Sequence, residues 1–206
     1  MNNRRRRYRY TTYLAGPMQA VAHSGAGWRV FFTKLLERYG VRVQNPVTSE
    51  SKKTGMTATR TKSFLKVLAP AVILGDKYAR KKFRKIMGRI KRADFRMVDR
   101  CHFIIAQVIE GVVSQGTSSE IKYAADKKIP VYVLYSGRPQ YFSHWLLDDV
   151  LASGGRVFLE EKRHGFKKCL DFLRSRFALE EFERNGKRRI ERAKNKADKA
   201  AAVSSK

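Results

Sequence analysis

Acidic residues are scarce in this sequence, and their scarcity sets the first limits on what the chain does. Its 206 residues hold 18 Asp and Glu against 45 Lys and Arg, a formal net charge of +27. Cysteine is nearly absent too. Cys101 and Cys169 have no metal-ligand spacing and cannot build a disulfide framework, which suits a reducing compartment. No apolar run approaches the roughly 20 residues of a membrane span, so no membrane partner is expected. The arginine-rich start lacks the apolar segment of a secretory signal, and Tyr10 onward already reads as a strand, not a presequence. A cytoplasmic or nucleic-acid-associated intracellular setting is the expectation. No G-x-G-x-x-G follows the first strand, so NAD is not invoked, and no other cofactor or metal is expected.

The acids are also missing unevenly. Residues 1–10 carry five Arg and no acid, residues 51–93 carry 14 Lys and Arg against Asp76 alone, and residues 183–206 carry nine against three. The remainder is nearly balanced, with 17 basic and 14 acidic residues. With 43% hydrophobic residues, 12 Phe, 9 Tyr and 2 Trp, that remainder can bury a proper core. The expected organisation is a basic arm at 1–10, one domain over 11–182 with a basic insertion at 51–93, and a basic tail at 183–206. Arg4, Arg5, Arg6 and Arg7 stand beside Tyr8 and Tyr10, a mixture that suits phosphates and bases better than plain solvation. Lys81, Lys82, Arg84 and Lys85 on the insertion are the other expected phosphate contacts, and nucleic acid is an expected partner.

Periodicity orders the rest. Tyr10 to Ala15 reads as a first strand ended by Gly16-Pro17. Residues 27–39 form a helix that places Trp28, Phe31, Phe32, Leu35 and Leu36 on one face, and a second strand starts at Val41. Residues 47–76 give no clear assignment. Residues 77–92 form a basic helix with Phe83, Ile86, Met87 and Ile90 as its packing stripe. Phe103 to Val108 and Ile129 to Tyr135 are buried strands, and Arg156 to Leu159 is a short one. Helices are expected at 117–128, 143–152 and 166–177, with an exposed charged helix over 180–202. Strands alternating with helices predict an α/β fold with about five parallel strands and helices on both faces.

One stretch stands out for chemistry, residues 94–120. A buried strand ends in a loop holding Gly111, Ser114 and Gly116, and a helix opens at Thr117-Ser118-Ser119-Glu120. Loops at the carboxyl ends of parallel strands are where such folds place ligands. Thr117 and Glu120 also match a capping box, in which both side chains satisfy backbone N–H groups. Spacing alone leaves both readings open.

The Tyr13-Leu14-Ala15-Gly16-Pro17 strand, Asp94 ahead of the Phe103–Val108 strand, and Gly116-Thr117-Ser118-Ser119-Glu120 resemble the nucleoside 2-deoxyribosyltransferase superfamily. The resemblance covers roughly residues 10–46 and 90–175, in order, and lies closest to the 2'-deoxynucleoside 5'-phosphate N-hydrolases. It implies a flavodoxin-like doubly wound core and cleavage or transfer of the N-glycosidic bond of (deoxy)nucleotides. On it, Glu120 falls on the nucleophile that forms a glycosyl–enzyme intermediate, Tyr13 on the tyrosine that orients it, and Asp94 on the aspartate that assists the departing base. Ser114 falls on the serine that holds the 5'-phosphate. Ser143 falls on a second phosphate serine donated by a neighbouring subunit, which implies at least a dimer. Gly16, Pro17 and Gly116 fall where backbone approaches the ligand. His102 stands where the family usually has a second aspartate, and no Asn stands near Ser143, which favours the nucleotide hydrolases over base exchange. Two alternatives remain at this stage: a nucleic-acid-binding protein using the fold as a scaffold, or the same chemistry on a base within DNA or RNA.

Overall fold

Three neighbouring strands are buried on both faces, and their side chains divide between two apolar layers. The computed structural model describes residues 8–18, 26–48, 55–160 and 164–179. Strands β1 (Tyr10–Ala15), β2 (Val41–Gln44), β3 (Phe103–Ile109), β4 (Val131–Ser136) and β5 (Arg156–Leu159) form one sheet. Every pairing is parallel and the order is β2-β1-β3-β4-β5, the flavodoxin-like doubly wound α/β arrangement. Side chains alternate along a strand. Tyr13, Ala15, Ile104, Ala106, Val131 and Val133 therefore face one layer, while Leu14, Phe103, Ile105, Tyr132 and Leu134 face the other.

Helices cover both faces. On the Leu14 side lie α1 (Ala26–Arg38) and α6 (His164–Arg176), which bury Phe32, Leu36, Cys169 and Leu173. The Tyr13 side is covered by α3 (Lys77–Val98), α4 (Gln115–Asp126) and α5 (His144–Ala152), through Val98, Ile121, Ala124, Leu146 and Val150. The remaining helix, α2 (Ala58–Ile73), packs on α3.

Three sequence expectations change. On α1, Phe31 is 53% exposed, and the buried stripe is Arg29, Phe32 and Leu36. Spacings of three and four keep those three on one side of the helix, whereas Phe31 is turned away. The unassigned stretch holds α2, which Thr57 caps by accepting from the Arg60 N–H and which carries Pro70 within it. That proline and the polar start obscured its period. Finally, α3 does not stop at Arg92 but continues to Val98. The edge of the basic insertion thus falls in the middle of a helix, and Asp94 rides on the helix that bears the cations.

Asp76, the one acid in residues 51–93, caps that helix: its Oδ1 accepts from the N–H groups of Tyr78 (2.8 Å) and Ala79 (2.9 Å). Residues Arg4 to Arg7 and the basic tail lie outside the described residues. Among the described residues, no helix is long and apolar enough to cross a membrane.

Cys101 and Cys169 are free thiols buried on opposite faces of the sheet. Burial pushes each up to about 12 from the ordinary 9.0. The unfolded chain then loses these protons at lower pH than the folded one, so folding binds protons more tightly and stability falls as pH rises. The fall begins near the ordinary thiol value and continues toward about 12. Tyr13, raised by its own burial, acts in the same direction. Urea midpoints are expected to hold level around neutrality and to drop above about pH 9, with both thiols inert to a disulfide reagent until the chain unfolds. A flat midpoint across that range, or rapid labelling of the native protein, would contradict the burial.

Candidate active site

Strand β1 delivers Tyr13 into the layer beneath α3 and α4, where its ring is fully buried. A buried phenol needs a partner, and its Oη donates to Glu120 Oε1 at 2.6 Å. Burial first, then the charges of Glu120 and Asp94 and this hydrogen bond, raise Tyr13 well above the ordinary tyrosine value. It is therefore a neutral O–H donor throughout the physiological range, and it fixes the orientation of the Glu120 carboxylate.

Of the two readings of Thr117 and Glu120, the capping box does not form. Helix α4 begins at Gln115, two residues early, because the Ser118 N–H closes a first turn on Ser114 O at 3.0 Å. Thr117 then lies inside the first turn and Glu120 in the second, too far along to reach the cap amide. Thr117 is buried, with its Oγ1 2.7 Å from Ser114 Oγ. Ser114 occupies the cap position but makes no side-chain cap bond.

Asp94 is buried on α3. Its neighbour Phe95 stacks on Tyr123 of α4, with ring centroids 4.4 Å apart and planes at 13°. The Tyr123 hydroxyl in turn donates to Asp99 Oδ1 at 2.9 Å. Tyr123 lies one turn beyond Glu120, so stack and hydrogen bond together clamp the two carboxylate-bearing helices against each other.

Between these helices and the end of β1 lies a cavity of about 540 Å³. Gly16, Pro17, Asp94, Ser114, Gly116 and Glu120, from three separate parts of the chain, all line it. It sits past the carboxyl ends of β1 and β3, the two strands between which the chain reverses its direction of winding, which is where doubly wound sheets take ligands. Its size suits a small organic molecule such as a nucleotide. Among the described residues, no group of three or more His, Cys, Asp or Glu stands together to hold a metal.

No family model and no curated protein matches this sequence. Solved structures similar to this chain include the CMP N-glycosidase BcmB of Clostridium botulinum, at a TM-score of 0.45 and 15% identity, over 78% of this chain and 98% of that one. A likeness of that degree bears on neither the chemistry nor the substrate of this chain.

Arg29 is a residue that sequence reasoning missed. It is 0% exposed on α1. Its Nε donates to Leu14 O (3.2 Å) and its Nη2 to Gly16 O (2.8 Å), while the guanidinium lies 4.9 Å from the centre of the Trp28 ring. Gly16 leaves room for this. A Cβ there would come 2.9 Å from Trp28 Cζ2 and 3.2 Å from Arg29 Nη2. Burial lowers the arginine's pKa, and the charges of Tyr13, Glu120 and Asp94 pull it back up. A guanidinium stays charged under such conditions. A fixed cation thus neighbours both carboxylates. The available signal was an arginine at a core position, three residues before Phe32 and seven before Leu36.

The residues expected to meet a phosphate from a neighbouring subunit or on nucleic acid lie away from this chain's own cavity. Ser143 is exposed and caps α5, its Oγ accepting from the Leu146 N–H at 3.4 Å. Lys81, Lys82, Arg84 and Lys85 are exposed on α3 and do not line the cavity. His102 extends the pairing of β1 with β3: its N–H donates to Thr11 O at 2.8 Å and its Nδ1 accepts from the Thr11 N–H at 3.0 Å. Two lysines that the sequence did not single out, Lys62 of α2 and Lys91 of α3, line the cavity. The basic insertion is therefore a wall of the site as well as an appendage to it.

Proposed function

We propose that this cavity breaks or transfers the N-glycosidic bond of a nucleotide. The observation that carries the reading is the 2.6 Å hydrogen bond from Tyr13 to Glu120, at a cavity that Asp94 also lines. Cleaving a nucleosidic C–N bond builds positive charge on the sugar, which a nearby carboxylate stabilises or captures. An oxygen of Glu120 attacks the anomeric carbon while the C–N electron pair leaves with the base. Asp94 hydrogen-bonds the departing base and assists its protonation. Water, or the nitrogen of a second base, then attacks the glycosyl ester, releases the sugar and restores Glu120. Tyr13 holds the nucleophile in line, and its raised pKa keeps it a donor through the cycle.

The anionic end of the substrate has natural partners as well. The hydroxyls of Ser114 and Thr117 stand 2.7 Å apart at the start of α4, whose first N–H groups have no intrahelical acceptor. Lys62 and Lys91 line the same cavity. These groups favour a phosphorylated substrate over a nucleoside. Chromatography of free base released from nucleosides and from their 5'-monophosphates tests the reading. Release from the monophosphates, well ahead of the nucleosides, is expected. An absence of release from every nucleoside and nucleotide would overturn it.

A further inference from the structure

Helix α3 carries ten Lys and Arg against the single acid Asp94, and all ten are exposed. None of them forms an ion pair with an acid among the described residues, and Asp76 is engaged with the α3 backbone. So many uncompensated charges on one helix repel one another and call for an anionic partner. A small mononucleotide inside the cavity cannot be that partner, because the cavity meets only Lys91 of the ten.

The placement of these cations has a direction. Arg80, Arg84 and Lys91 are separated by four and seven residues, which keeps them along one edge of the helix. Lys91 is at the cavity, and the row rises from it over about 16 Å of helix axis, at 1.5 Å per residue. Tyr78, 68% exposed with the Lys82 ammonium 4.7 Å from the centre of its ring, projects from the other side of the helix and takes no part in the row. A row of cations that ends at a cavity matches what a nucleic-acid strand needs: charge along its backbone and an enclosed place for one nucleotide. Asp94, three residues after Lys91, lies on the same side of this helix and also lines the cavity.

We infer that α3 is a track for the phosphodiester backbone of a single-stranded nucleic acid, running along Arg80 and Arg84 to Lys91, where a terminal or unstacked nucleotide enters the cavity. The inference deepens the proposed reaction by naming its substrate class, and the delivery of a nucleotide to the cavity rests on that reading. Single strands suit the site better than duplex, since a base held in a duplex must first be flipped out to be attacked.

The test is the binding of a fluorescent short single-stranded oligonucleotide, followed by anisotropy over a range of salt, to the full chain and to the Arg80→Gln/Arg84→Gln variant. Both residues are exposed and outside the cavity, and glutamine keeps the helix propensity. Loss of two phosphate contacts is expected to weaken binding ~tenfold or more and to make the slope of log K against log salt shallower by about 1.4, at about 0.7 per phosphate. Base release from a 5'-monophosphate is expected to be unchanged in the variant, while the oligonucleotide's competition against that release weakens in step with binding. Equal affinity and equal salt slope in the two proteins would overturn the track. So would binding to phosphatidylserine vesicles in place of the oligonucleotide, an outcome that the exposed Ile73 and Leu74 between α2 and α3 would then explain. Absence of base release from any substrate, with oligonucleotide binding and its loss in the variant intact, would overturn the proposed reaction and leave the binding surface standing.

Discussion

Glu120→Gln is expected to fold like the parent chain and to release base about a thousandfold more slowly, or not at all. Its amide oxygen can still accept the Tyr13 hydroxyl, so the buried hydrogen bond of 2.6 Å keeps an acceptor. The amide, however, neither attacks the anomeric carbon nor stabilises positive charge on the sugar. Removal of a nucleophile typically costs three orders of magnitude or more, and what remains comes from binding. Glu120→Ala should lose activity equally and also lose stability, because it leaves the buried Tyr13 hydroxyl without that acceptor, a penalty of about 1–3 kcal/mol. The pair separates chemistry from folding. Thermal unfolding and base release, measured side by side, check both. A Gln variant within about tenfold of the parent would show that Glu120 is structural and that the reaction, if any, has another nucleophile.

Arg29→Met should be the most damaging single substitution for stability. It removes the donors to Leu14 O and Gly16 O and takes away the cation that neighbours Glu120 and Asp94. Removing one side of a buried charge arrangement costs about 3–5 kcal/mol, because the remaining charges stay buried without compensation. Methionine matches the length of the arginine stem, so lost volume contributes little. Arg29→Lys keeps a charge but not the two-pronged geometry, and should fall between the two. Urea unfolding of the three proteins orders them parent, Lys, Met. A Met variant within ~0.5 kcal/mol of the parent would mean that the site holds its carboxylates without this cation.

Much of this architecture is legible in the residues. Short apolar runs locate all five strands, and β3 and β4, buried on both faces, leave the densest local signature. The β1 motif and the Gly116 to Glu120 segment mark the site, because a ligand at the end of a parallel sheet is met by these loops. What could not be read has physical causes. The start of α4 depends on which carbonyl closes the first turn, and Thr117-x-x-Glu120 fits a cap as well as a half-buried site carboxylate until Tyr13 is known to lie beside it. Arg29 hides because a charged residue in an apolar stripe looks exposed unless its carbonyl partners, on β1 and just past its end, 15 and 13 residues away, are in view. The role of Lys62 and Lys91 depends on how α2 and α3 pair over the cavity, a tertiary fact that local charge density does not encode.

The central claim is that Glu120 forms a bond to the sugar, and stereochemistry tests it most directly. With methanol present as an acceptor, cleavage of a β-nucleotide yields a methyl glycoside whose anomeric configuration NMR reads without interference from ring opening. Two successive displacements through a Glu120 ester predict retention, the β-methyl glycoside. The α-methyl glycoside would mean a single displacement by the acceptor, with Glu120 acting as something other than a nucleophile, and would contradict the account.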